Sequence, residues 1–134
     1  MKNNENRTAR LVYGAILSAL AIYGGMGFFL PGMITLAPNS LLPVIIPVLV
    51  AAAVVETVLL LAWAPRLLGK SSYLNYCVLR WALAEGVGIY GLVLVFLGAG
   101  QGFFLTFLGW SLVLILLCAP TEADQERHEL LQKS

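Results

Sequence analysis

What most constrains this chain is where its charges are not. No charged residue lies between Arg10 and Glu56, and none lies between Glu85 and Glu122. Divided at turn-forming residues, and extended into the sparsely charged sequence between these runs, they give apolar stretches over 11–30, 41–63, 74–99 and 103–119, the second holding Glu56 and the third Arg80 and Glu85. At ~1.5 Å of rise per residue, about twenty apolar residues cross a hydrocarbon core of ~30 Å. The first stretch is longer than the apolar core of a cleaved signal peptide, so it is expected to be a retained span. Composition agrees, with 60% of the 134 residues hydrophobic and 11% charged. A soluble domain is nearer about half apolar and about a quarter charged.

The expected fold is therefore all-α: a polytopic membrane protein, a bundle of four transmembrane helices forming a single membrane domain over 1–134. Pro43 and Pro47 fall in the first turns of the second span, where missing hydrogen bonds cost least or produce a kink. A basic loop over 64–73 joins the second and third spans, and a glycine connection (Gly98, Gly100, Gly102) joins the third and fourth. The tail, 120–134, is polar and suited to one amphipathic helix. With both termini cytoplasmic, all eight Lys and Arg residues fall on the inner side and the two outer connections have none. That asymmetry predicts an N-in, C-in topology, in a bacterial inner membrane.

Small residues recur along three of the spans. The third carries Ala84, Gly88, Gly91, Val95, Gly98 and Gly102; the first carries Gly14, Ser18, Ala21 and Gly25; the fourth carries Gly102, Thr106 and Gly109. Lipid supplies little hydrophobic force between helices, so association depends on the close backbone approach that glycine permits. Such seams either hold the bundle together or face another copy of the chain, and a homo-oligomer is one expectation.

Two carboxylates interrupt the apolar spans. Glu85 stands inside 80–96, RWALAEGVGIYGLVLVF, and Glu56 stands in the second half of the preceding span. An acid in such a place is a functional-site hypothesis by default. Counting from the cytoplasmic ends puts both at similar depth, ~12–15 Å from the inner surface. If they face one another they cannot both be ionised cheaply, and at least one holds a proton. If Arg80 pairs with one, that one stays charged. A protonated acid bonded to a carbonyl, to Thr57 or to a tyrosine, serving only packing, is the structural alternative.

Other motifs carry less. Gly69-Lys70-Ser71 ends like a phosphate-binding loop, but Ala64 stands where the first glycine is needed and a membrane helix where a strand is needed. His128 is alone on a charged tail and is expected to be solvated. Cys77 and Cys118 lie near the inner face, where thiols stay reduced, and read as apolar filler. No nucleophile triad and no metal-ligand spacing is present, so no enzymatic activity, cofactor or metal is expected. The charge balance of +1 gives no reason to expect a nucleic-acid partner.

Residues 82–96, ALAEGVGIYGLVLVF, resemble the carboxylate-bearing helix of the c subunit, or proteolipid, of rotary ATP synthases. The resemblance implies that Glu85 is an ion-binding carboxylate, with Tyr90 as the tyrosine of the following turn. It implies that 41–99 is a hairpin of that kind, with the first and fourth helices as flanking additions. Gly86 and Val87 offer no side-chain oxygen beside Glu85, so the expected ion is a proton rather than sodium. The expected function is a small oligomeric membrane protein with a proton-binding glutamate, Glu85 with Glu56, and c-subunit-like ion translocation. The alternative is a structural or assembly protein that scaffolds a larger membrane complex. Its partners would be the bilayer and other membrane subunits, reached through the first and fourth helices or the 121–134 tail.

Overall fold

A computed structural model describes residues 2–33, 40–68 and 70–133. Their regular structure is helical throughout, with no strand among the described residues. The chain runs through α1 (Lys2–Met33), α2 (Leu42–Val58), a π-helical turn (Leu59–Trp63), α3 (Ala64–Leu68), α4 (Tyr73–Phe96), α5 (Gln101–Leu117) and α6 (Glu122–Lys133). The expected connection between the first two spans falls mostly on 34–39, outside the described residues.

The helix boundaries follow from local chemistry. α2 begins with Pro43 in its first turn, where the missing N–H would have had no intrahelical partner. Ser72 caps α4, its side chain accepting from the Asn75 N–H at 3.4 Å. Gly98, two residues past the end of α4, turns the chain in the left-handed region at φ 81°, and Gly100 follows at φ 87°. Gly98 therefore belongs to the turn rather than to the packed seam. Pro120 stops the chain from running straight on, and Thr121 Oγ1 then accepts from the Asp124 N–H at 3.2 Å to start α6.

The basic loop expected over 64–73 is shorter than expected, because α3 extends the second helix to Leu68. Pro65 has no N–H, and in a regular α-helix its ring would strike the Leu61 carbonyl. The wide turn over Leu59–Trp63, closed by the Ala64 N–H on the Leu59 carbonyl, lets the helix continue through that proline.

Three helical segments are long and apolar enough to cross a membrane: Asn4–Phe29, Leu42–Arg66 and Tyr73–Phe96. α5 has 17 residues, ~25 Å of helix at the usual rise, and meets α6 at a bend of 69°. Large apolar side chains cover the outside, among them Val44, Phe29, Leu105 and Leu117. This is compatible with an integral membrane protein.

α4 is the hub. Within 18-residue apolar stretches of the two other long segments 11% of residues are buried, against 44% in such a stretch of Tyr73–Phe96, which α1, α2 and α5 all contact. The seam of Ala84, Gly88 and Gly91 lies inside the monomer, between α4 and its neighbours. A Cβ on Gly91 would lie 2.9 Å from Phe107 Cβ and 3.2 Å from the Phe104 carbonyl oxygen. One on Gly88 would lie 3.1 Å from both Leu20 and Ser111 Oγ. The other two seams face outward: Gly14 and Gly25 of α1, and Gly102 and Gly109 of α5, have nothing within 4 Å of a Cβ position.

Gly91→Ala is therefore expected to push α4 and α5 apart and lower thermal stability by ~1–3 kcal/mol, the usual cost of overpacking. Thermal unfolding in mild detergent measures this, with particle size unchanged. Dissociation into smaller species without loss of stability would mean that the seam serves another copy.

Candidate functional site

Two polar clusters are built on α4, one within the apolar length of the helix and one at its N-terminal end. The first centres on Glu56. The Tyr90 hydroxyl donates to Glu56 Oε1, while Oε2 is buried with no hydrogen-bond partner. Gly86, one turn before Tyr90, makes the approach possible: a Cβ there would lie 3.1 Å from Oε2. Gly86 and Tyr90 are four residues apart, so they share the face of α4 that meets α2.

Glu85 is one residue from Gly86, a rotation of about 100° around the helix. It consequently turns away from Glu56, and no hydrogen bond or ion pair joins the two acids. Glu85 is half-buried on the open strip of α4 that carries Val78, Ala82, Ile89 and Phe96. It has no polar partner among the described residues. Helix counting does not fix the rotation that separates the two acids.

Around Glu56 the neighbouring helices are tied by side-chain donors. Thr57 Oγ1 donates to the Ala53 carbonyl at 2.8 Å and accepts from Trp110 Nε1 at 3.0 Å, linking α2 to α5. Ser111 Oγ donates to the Ala84 carbonyl at 2.6 Å, linking α5 to α4. Tyr13 donates to the Ile115 carbonyl at 3.1 Å and stacks at a tilt on Trp81, with ring centroids 5.2 Å apart. Trp81 Nε1 donates to the Cys118 carbonyl at 2.8 Å. Cys118 and Cys77 are buried free thiols.

The second cluster locks α6 onto the N-terminal end of α4. Arg80 pairs with Asp124, Nη1 donating to Oδ1 at 2.9 Å and Oδ2 at 3.2 Å, with both side chains largely buried. Its guanidinium lies 4.5 Å over the Tyr76 ring, and the Tyr73 hydroxyl donates to Asp124 Oδ2 at 3.0 Å. Arg80 thus takes its counter-ion from the tail, not from either intramembrane glutamate. Removing one member of such a buried pair leaves an uncompensated charge, at a cost of ~3–5 kcal/mol.

His128, expected to be solvated, is 3% exposed. It packs against the rings of Tyr73 and Tyr76, at 5.5 and 5.1 Å, and its Nε2 donates to the Ser71 carbonyl at 2.9 Å. The bend at Pro120–Thr121 folds the helical tail back on the bundle, so a residue on a charged stretch becomes an anchor. Gln132 donates to the same carbonyl at 3.2 Å, and Asn6 of α1 donates to Gln125 Oε1 at 2.9 Å. The start of α1, the turn before α4 and the tail therefore meet at one end of the molecule. Sequence reasoning missed Asp124 as a site residue. The available signal was Arg80 itself, a cation inside a span that needs a partner.

No group of three or more metal-ligating side chains occurs among the described residues. No protein-family model matches the chain, and no curated protein or solved structure is significantly similar to it.

Proposed function

We propose that this chain is a small membrane protein of four transmembrane helices that binds and releases a proton at Glu56, inside the bilayer. The observation that carries the reading is the Glu56 carboxyl group itself. It lies in a membrane-length apolar helix, one oxygen held by Tyr90 and the other buried without a partner. A buried ionised carboxylate with an unsatisfied oxygen is costly, and a proton on that oxygen removes the charge. Sodium would require several oxygen ligands, and Gly86 and Val87 on the facing helix supply none from their side chains.

Glu85 is the second carboxylate of this reading, on the open strip of α4 where a proton could be exchanged with another subunit or a lipid-facing path. Tyr90 keeps the importance that the proteolipid resemblance gives it, as the hydroxyl that orients Glu56. The outward seams of α1 and α5 suit association with further copies.

The proposed topology has both ends in the cytoplasm, with α5 as the fourth span. Two facts support it. The segments bearing Arg7, Arg10, Lys70, Arg80 and Arg127 converge at one end, and α5 is as apolar as the second span. The cytoplasmic membrane of a bacterium fits that charge asymmetry.

An assembly role remains the competing reading, favoured by the same outward seams. It differs in one measurable respect, because a scaffold does not need an acid at position 56.

A hydrophobic carbodiimide, which attacks the protonated acid, is expected to label Glu56 with a yield that falls as pH rises and is indifferent to sodium. Protection by millimolar sodium at fixed pH would identify a different ion, and pH-independent labelling would favour the scaffold. For the topology, a cysteine at Ser40 is expected to react with an impermeant maleimide from outside intact cells and one at Lys70 only from inside. Outside labelling of Lys70→Cys would overturn the four-span arrangement.

A further inference from the structure

We infer that the groove between the π-helical turn, the end of α5 and α6 is a binding site for one anionic phospholipid. The inference does not depend on the proton reading of Glu56; it depends only on this end of the bundle lying at a membrane surface. The groove holds about 600 Å³, within the ~300–1,000 Å³ of typical small-molecule sites.

Its walls are of two kinds. Leu60 and Leu61 of the π-helical turn, Leu117 at the end of α5 and Leu130 of α6 form an apolar side. Arg80 and Arg127 stand on the polar side. The two guanidiniums differ in role. Arg80 is buried and fixed, stacked on Tyr76, and makes both of its contacts to Asp124 through Nη1. Arg127 is exposed and has no ion-pair partner among the described residues. Asp124 cancels one positive charge, so the groove keeps one uncompensated cation beside a leucine wall.

That combination fits an amphiphile with a negative head and an apolar tail. The phosphate would sit against Arg127, with an acyl chain along Leu60, Leu61 and Leu117. Basic pockets at the cytoplasmic ends of membrane helices recognise anionic headgroups in this way, each cation near the surface adding about a five-fold preference. The 69° bend between α5 and α6 makes the groove, because it lays the leucines of α6 over the end of the bundle. A zwitterionic lipid would offer the same phosphate but bring its own ammonium beside Arg127 and Arg80, a third positive charge that the groove does not balance.

The test is lipid retention by the full chain in mild detergent, read by native mass spectrometry with phosphatidylglycerol and phosphatidylcholine of the same acyl chains. The expected result is one tightly retained phosphatidylglycerol, preferred at least about five-fold over phosphatidylcholine. Arg127→Gln lies on an exposed position, so it should leave the fold intact while bringing the preference close to unity. Equal retention of both lipids by the native chain would overturn the proposal, leaving an ordinary annular contact. So would an undiminished preference in Arg127→Gln. Glycerophosphoglycerol, the same head without chains, should not compete at equal concentration; full competition would mean that the groove takes a free phosphate group and not a lipid.

Discussion

Hydrocarbon surrounds an apolar side chain with much the same environment whether it faces lipid or another helix. In the membrane-embedded reading, therefore, what holds this chain together is close backbone approach and a small number of polar links. Both are concentrated on α4. Gly88 and Gly91 bring α5 within van der Waals reach, and Ser111 uses that nearness to bond the Ala84 carbonyl. The same logic recurs on the α2 side, where Gly86 admits Glu56 and Tyr90 receives it. One helix thus carries both the packing and the candidate chemistry.

The two polar clusters divide the labour. At the N-terminal end of α4, Arg80, Asp124, Tyr73 and His128 form a hydrogen-bonded network that anchors α6, with Gln125 Nε2 beside it buried without a partner. Partnered networks of this kind fix geometry, and breaking them is expensive. The Glu56 cluster differs in that the atom left without a partner is an oxygen of an acid, which a proton would both neutralise and supply with a donor hydrogen. A protein that needed Glu56 only for packing would gain by satisfying that oxygen. The contrast between the two clusters is the reason to look for function at Glu56 and for stability at Arg80.

Much of the architecture was legible from charge alone. The long uncharged runs located the apolar helices, and the polar composition of 120–134 marked the tail helix. What the sequence did not reveal was rotation. Helix counting compares Glu56 and Glu85 along their helices, but whether they face one another depends on which side of α4 meets α2. That choice is made by Gly86 and Tyr90; the proteolipid resemblance singles out Tyr90, but as a neighbour of Glu85 and not as the partner of Glu56. His128 was misread for a related reason: a polar tail looks solvated until its return path over Tyr73 and Tyr76 is known. The continuation through Pro65 depends on a π-helical turn, which composition does not announce.

The central claim is that a proton is bound at Glu56 rather than at Glu85, and infrared spectroscopy of the carboxyl C=O stretch tests it most directly. In the purified chain, a protonated-carboxyl band is predicted to titrate away as pH rises. Glu56→Gln should remove that titrating band, and Glu85→Gln should leave it in place. Persistence of the band in Glu56→Gln, with its loss in Glu85→Gln, would contradict the account.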